Sequence, residues 1–336
     1  MTVEDVWYGA TASDRVIRAA LSPAAWLYGA ITSTRNGMYD RGVLRTHSSA
    51  IPVVSVGNVT VGGTGKTPFS ALLVEMLRTM GHAPAVVMRG YGDDERHLHA
   101  RMNPGVIVVT GSDRVAGIGE AASGGADVVV LDDGFQHRRA RRDLDIVLVS
   151  AERWRSGLML LPAGPLREPM KSIRRADIVV ITRKVAGEDE VTAVRRALEE
   201  VRGAREGIVV AELAGSEIIG AQSGENVELA ALSGASVLAI AGIGDPASFF
   251  AQLRATGARV TERRFRDHHD YTAADATELA AESAGHKYAI TTEKDAVKLS
   301  RLWPANGAEL WYLSQAVRLT EGSSSVATAL AKLFKR

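Results

Sequence analysis

Val53-Val54-Ser55-Val56-Gly57-Asn58-Val59-Thr60-Val61-Gly62-Gly63-Thr64-Gly65-Lys66-Thr67 is the stretch that decides the fold. A β-rich run, a glycine loop and then the helical run Phe69 to Met80 give strand, loop and helix in succession. Gly62, Gly63, Thr64 and Gly65 let backbone N–H groups turn toward phosphate oxygens, and the helix N-terminus behind them adds positive potential. Lys66 is spaced to reach the β- and γ-phosphates of a nucleotide, and the Thr67 hydroxyl is spaced to ligate Mg²⁺. The strict spacing puts the first glycine of such a loop at position 60, where this chain has Thr60, with Gly57 upstream.

Outward from that loop, short β-rich runs alternate with helical patterns. The expected strands are Val53 to Val56, Ala85 to Met88, Val106 to Val109, Val128 to Leu131, Ile146 to Val149 and Ile178 to Ile181. A polar stretch, Arg183 to Glu190, reads as a linker. A second series follows at Ile208 to Glu212, Val237 to Ala241, Tyr288 to Thr291 and Leu310 to Leu313, with a helix over Pro246 to Thr256. This alternation predicts an α/β protein with a P-loop NTPase-type, mostly parallel sheet covered by helices. The expected division is an N-terminal segment 1–45, a P-loop core 46–185 and a smaller α/β domain 186–336. Val128-Val129-Val130-Leu131-Asp132-Asp133 is an apolar strand that delivers two carboxylates at its C-terminal end, where ligands collect in open α/β sheets. Such a strand can hold Mg²⁺ beside the P-loop, although an acidic pair after a strand also serves as a helix cap.

Composition narrows the classes. With 336 residues, 46% hydrophobic and 24% charged, the chain can bury a sizeable core. The formal net charge of +1 gives no global field of the kind a nucleic-acid binder carries, so charged partners must be met locally. Cys is absent, which excludes disulfides, thiolate metal sites and thiol catalysis.

Glu4, Asp5 and Asp14 stand where a signal peptide would be basic, and Ala19 to Ile31, interrupted by Pro23, falls short of the ~20 apolar residues a membrane span requires. Ser22-Pro23 reads as a helix start and Asn36-Gly37 as its stop. Trp26, Leu27, Ala30 and Ile31, with Tyr28 nearby, make one side of that short helix apolar and aromatic. Such a face suits a bilayer interface, or packs on the helix's own domain.

Val56-Gly57-Asn58, the loop ending Lys66-Thr67-Pro68, Arg89-Gly90-Tyr91-Gly92, Asp132-Asp133-Gly134-Phe135-Gln136-His137, Leu161-Pro162-Ala163-Gly164-Pro165-Leu166-Arg167-Glu168-Pro169, Asp267-His268-His269 and Thr292-Glu293-Lys294-Asp295 resemble, in order, the tetraacyldisaccharide 4′-kinase family. The resemblance spans Ile51 to about Leu299. It implies ATP- and Mg²⁺-dependent phosphorylation of the 4′-hydroxyl of an acylated disaccharide 1-phosphate lipid, giving the lipid A precursor lipid IVA. It also implies work at the cytoplasmic face of the inner membrane through a monotopic or peripheral contact. Carried over by residue, Lys66 and Thr67 bind phosphate and metal, Asp132 and Asp133 form the carboxylate pair, Gln136 and Glu168 join the metal environment, and Arg167 meets phosphate charge.

The family's catalytic Asp lies in a Gly-Asp-Glu-Pro segment. Here Gly92-Asp93-Asp94-Glu95 follows Arg-Gly-Tyr at once and Arg96 replaces the Pro, so Asp94 is the best match and Asp93 the alternative. His268 resembles the histidine that pairs with this Asp, which suits a sugar hydroxyl that needs a positioned base. By itself, Asp267-His268-His269 also reads as a cap or a solvated turn. Glu293, in the segment after the strand Tyr288 to Thr291, is placed to border the adenine pocket or is an ordinary loop charge. Arg138, Arg139, Arg141 and Arg142, with Arg174 and Arg175, are either a contact for the substrate phosphate and lipid headgroups or solvated faces. Two other readings share the nucleotide motifs: a kinase of a soluble small molecule, and a nucleotide-driven switch. The oligomeric state is open.

Overall fold

The computed structural model describes residues 3–90, 93–203, 207–305 and 307–335, with side chains left out at 93–95. In chain order the helices are α1 (Val3–Tyr8), α2 (Ala12–Asp40), α3 (Lys66–Thr79), α4 (Asp93–Met102), α5 (Arg114–Ser123), α6 (Glu188–Arg202), α7 (Pro246–Ala255), α8 (Ala273–Ser283), α9 (Glu293–Leu299) and α10 (Ser323–Lys332). The strands are β1 (Val53–Asn58), β2 (Pro84–Met88), β3 (Ile107–Thr110), β4 (Val128–Asp132), β5 (Leu144–Ser150), β6 (Ile178–Arg183), β7 (Ile208–Gly220), β8 (Asn226–Glu228), β9 (Ser236–Ala241), β10 (Arg259–Arg264), β11 (Tyr288–Thr292) and β12 (Leu310–Glu321).

Two units emerge, one of residues 1–89, 105–211 and 319–336, the other of 90–104 and 212–318. In the first, the strand order is β6-β5-β1-β4-β2-β3, and each of these pairings is parallel. Every residue of β1, β2, β4 and β5 is buried, as parallel strands covered on both faces must be. That explains why they are rich in Val, Leu and Ile. Because β1 lies directly beside β4, with Val56 in register with Asp132, the loop after β1 and the carboxylates ending β4 emerge side by side. In the second unit the order is β10-β9-β11-β12-β7, with β10, β9, β11 and β12 parallel and β8 antiparallel to β7. Its core packs Phe249, Phe250 and Leu253 of α7 against Val237 and Ala239 of β9.

The expected α/β class holds, and several elements differ from their sequence reading. The linker expected over Arg183 to Glu190 is the short turn 184–187 between β6 and α6, where Glu152 Oε1 accepts the N–H groups of Val185 and Ala186 at 3.1 Å. The largest difference is at the N-terminus. Instead of a short helix between Ser22 and Asn36, α2 runs through 29 residues. Its start is a capping box in which Thr11 and Asp14 exchange side-chain and backbone bonds, and Pro23 sits inside. An interior proline costs about 3 kcal/mol. Tertiary anchors along the helix offset it: Arg18 donates to the Gly9 carbonyl (2.8 Å), the Tyr28 hydroxyl to the Arg167 carbonyl (2.9 Å) and the Asn36 amide to Glu168 (2.7 Å). Gly37 therefore continues the helix. Among the described residues, no helix is long and apolar enough to cross a membrane.

Candidate active site

The loop is braced before it can hold anything. Asn58, at the end of β1, donates to Thr64 Oγ1 (2.9 Å), and Thr182, in β6, donates to the Thr64 carbonyl (3.0 Å). Thr64 is thus buried and fixed from two strands. Gly62 and Gly65 have φ of 111° and 83°, a region that side chains resist. A Cβ on Gly62 would also lie 2.9 Å from the Arg153 guanidinium. Arg153 is itself ion-paired with Glu4 and stacked 5.1 Å from the Tyr8 ring, which ties α1 to the back of the loop.

Lys66 opens α3, and its Nζ lies 3.6 Å from Asp133 Oδ1. Arg167 Nη1 donates to both oxygens of the same carboxylate at 2.9 Å. Asp133 adopts φ 56°, a left-handed conformation for a residue with a side chain, and this turns its carboxylate toward the two cations. Burial alone would raise the Asp133 carboxyl, but Lys66 and Arg167 outweigh it and hold the group below its ordinary range. Asp132 does a different job, accepting a hydrogen bond from Thr67 Oγ1 at 3.1 Å. The two adjacent carboxylates therefore divide, one toward the loop hydroxyl and one toward Lys66 and Arg167.

Glu168 is buried, and its Oε2 accepts from Asn36 (2.7 Å) and Arg175 (2.9 Å), while Arg175 stacks over the Phe135 ring at 4.4 Å. Among the described residues, Glu168 Oε1 has no hydrogen-bond partner. Gln136 donates its amide to the Asn58 carbonyl at 2.8 Å, fixing the end of β1. For a hard cation the donor set is chemically suitable: the Thr67 hydroxyl, the Asp132 and Asp133 carboxylates and the unsatisfied oxygen of Glu168. Among the described residues no cluster of three or more His, Cys, Asp or Glu could hold a metal by itself. A P-loop Mg²⁺ does not need one, because it takes one or two protein ligands and completes its shell with phosphate oxygens and water.

Several arginines of the basic cluster after His137 have protein partners. Arg138 pairs with Asp40 (2.7 Å), Arg139 with Asp113 (3.2 Å) and Arg142 with Asp145 (2.8 Å). Arg174 donates to the Val201 carbonyl (2.5 Å). Arg139, Arg141 and Arg174 nonetheless stay exposed.

In the second unit, His268 lies in the turn that follows β10, with φ 57°, and its N–H donates to the Gly242 carbonyl (3.1 Å). Its Nε2 lies 3.0 Å from Lys294 Nζ. Asp94 stands in the first turn of α4, in the same unit, and its side chain, like that of Asp93, lies outside the described residues, as do Tyr91 and Gly92. Glu293 is the first residue of α9, and burial pushes its carboxyl up to about 7, only partly countered by Arg101. Lys66, Thr67, Asp132, Asp133 and Arg167 thus converge in one unit, while His268, Glu293 and the backbone of Asp94 belong to the other. Sequence reasoning gave Asn36 and Arg175 other roles and missed Arg153 and Thr182. Only Asn58, quoted within a motif, carried a local signal.

A glycine loop at a strand-to-helix junction, with its hydroxyl bonded to a carboxylate at the end of the adjacent parallel strand, defines the P-loop class of nucleotide-binding proteins. Within that class, the chain matches the tetraacyldisaccharide-1-P 4'-kinase family over residues 17–335 and belongs to it. Similar proteins include the tetraacyldisaccharide 4'-kinase of Halorhodospira halophila, 38% identical with 100% of this chain and 99% of that protein covered. That of Anaeromyxobacter sp. (strain Fw109-5) is 39% identical over 91% and 89%. The LpxK structure from Aquifex aeolicus, solved in complex with ATP, superposes with a TM-score of 0.74 at 30% identity, covering 95% of this chain and 99% of that one.

Proposed function

We propose that this chain transfers the γ-phosphoryl group of ATP to the 4′-hydroxyl of tetraacyldisaccharide 1-phosphate, giving lipid IVA. One observation carries the reading: in a chain of this family, Lys66, Arg167 and the Asp132–Asp133 pair meet at the mouth of a braced P-loop. Phosphoryl transfer asks a protein for positioning and for cations where charge develops. Gly62 to Gly65 supply backbone N–H groups for the phosphates, and Lys66 and Arg167 flank the transferring group. Thr67, Asp132 and Asp133 are the candidate ligands for Mg²⁺, with Gln136 and Glu168 in its surroundings, and the bound ion would neutralise phosphate charge. Glu293 borders the adenine. Asp94 accepts the proton of the 4′-hydroxyl as its oxygen bonds to the γ-phosphorus. The bond to the β,γ-bridging oxygen breaks, and ADP leaves. His268 orients that carboxylate.

The lipid acceptor favours this reading over a soluble one because of α2. Trp26, Leu27 and Ile31 are 76%, 56% and 59% exposed on the face opposite Ala25, Gly29 and Asn36, which are buried. The helix packs on its own protein with one face and offers the other to a peripheral contact at the cytoplasmic face of the inner membrane. A large apolar side chain gains about 1.5–3 kcal/mol on leaving water. Replacing Trp26, Leu27 and Ile31 together by Ser should therefore weaken flotation with anionic vesicles on the order of tenfold or more while leaving the melting temperature unchanged. Equal flotation of the variant and the parent would remove α2 as the contact. For the reaction itself, ADP release should require the glycolipid; release at the same rate without it would favour a nucleotide-driven switch.

A further inference from the structure

Lys294 has no role in the chemistry above, and its position is locally unfavourable. It is the second residue of α9, between Glu293 and Asp295, where the helix dipole favours acidic side chains and disfavours a cation. Its ammonium is instead turned to the Asp267–His268 turn, 3.0 Å from His268 Nε2 and 3.9 Å from Asp267 Oδ1. An ammonium has three donors and no acceptor. The contact therefore requires a lone pair on Nε2, which in a neutral imidazole leaves the proton on Nδ1.

The same short segment also fixes where the imidazole stands. Asp295 is buried and accepts the Gly242 N–H at 2.8 Å and the Thr292 hydroxyl at 2.7 Å. Gly242 in turn accepts the His268 N–H through its carbonyl at 3.1 Å. A Cβ on Gly242 would meet the Tyr271 hydroxyl at 2.9 Å and Asp295 Oδ1 at 3.1 Å, so this approach depends on glycine. His268, held at φ 57°, is thus tied by its backbone to Asp295 through Gly242 and by its ring to Lys294.

We propose that Lys294 is a positioning residue that fixes the tautomer of His268, with Nε2 accepting from Lys294 and Nδ1–H left as the donor. A carboxylate that must take a proton from a sugar hydroxyl is oriented by a donor, and only the Nδ1–H tautomer offers one while the lysine contact is kept. The proposal rests on the assignment of His268 to the acceptor step, but its structural half stands apart from that assignment.

The test uses the full-length protein with its histidine ring nitrogens labelled, the His268 signals being assigned from a His268→Gln sample. The parent should show His268 with its proton on Nδ1, and Lys294→Met should move it toward Nε2–H or a mixture. Lys294→Arg, which keeps donors and charge, should restore the parent signal in large part. In single-turnover transfer to the glycolipid, Lys294→Met should slow the chemical step about 10–100-fold, as loss of a residue that orients a functional imidazole does, with ATP affinity unchanged. An Nε2–H signal in the parent, or one indifferent to Lys294→Met, overturns the proposal. So does a loss expressed only in ATP affinity. If the protein transferred nothing to the glycolipid, the proposed function would fall while the ring-nitrogen spectra still decided the tautomer.

Discussion

The two units hold their functional side chains in contrasting ways. On the P-loop side, Asp133 is shared between Lys66 and Arg167, Asp132 accepts from Thr67, and Glu168 is buried between Asn36 and Arg175. Each charge sits in a web of several partners. On the other side, His268 is 43% exposed in a turn, with one backbone bond, the Lys294 ammonium at Nε2 and Asp267 Oδ1 4.0 Å from that nitrogen. The contrast follows from the chemistry. Phosphates carry dense negative charge that must be met by preorganised cations, so that region repays rigid construction. A single imidazole needs only its tautomer and direction fixed, which a few contacts can do. Substitutions should therefore damage both folding and chemistry in the first unit, and chemistry alone around His268.

The largest effect is expected at Lys66. Lys66→Ala should lower transfer on the order of 10³-fold or more, because it removes a cation proposed to meet the developing phosphate charge. Near-normal turnover in a folded variant would dismantle the P-loop assignment. Next comes Arg175→Met, which leaves the buried Glu168 carboxylate without its cation; breaking such a pair costs about 3–5 kcal/mol, visible as a marked drop in melting temperature. If Lys294→Met destabilised the protein as much as Arg175→Met, the contrast between the two regions would be lost.

A smaller effect concerns pH. Glu293 has a carboxyl raised from an ordinary 4.5 to about 7 by burial. Between those values the folded protein keeps a proton that the unfolded chain has released, so stability falls as pH rises through that window and levels off above it. Glu293→Gln should flatten this fall, by a few degrees in melting temperature on the order expected for a domain of this size. An unchanged pH profile would show that Glu293 ionises normally.

The P-loop half was legible in sequence because its signals are local. Glycines at positions 62 and 65, a lysine and threonine at a strand-to-helix junction, and an apolar strand ending in two aspartates each follow from neighbours along the chain. What supports them was not legible, since Asn36 meets Glu168, and Arg153 meets Glu4, across more than a hundred residues. The same contacts explain the misreading of α2. Ser22-Pro23 and Asn36-Gly37 are fair local start and stop signals, and they lose to anchors that no local pattern announces. Edge strand β10, Arg-Val-Thr-Glu-Arg-Arg, escaped for a related reason, because its charged residues read as a loop until β9 pairs with it. The assignment of Asp94, with Asp93 as the alternative, rests on the family resemblance, and both stand in the first turn of α4.

The most direct test of the account is the product itself. Incubating the protein with ATP, Mg²⁺ and vesicles containing tetraacyldisaccharide 1-phosphate, then analysing the lipid by mass spectrometry and phosphorus NMR, should show a gain of one phosphate at the 4′-position that Lys66→Ala abolishes. ATP consumed with no phosphorylated glycolipid, or phosphate placed at another hydroxyl, would contradict it.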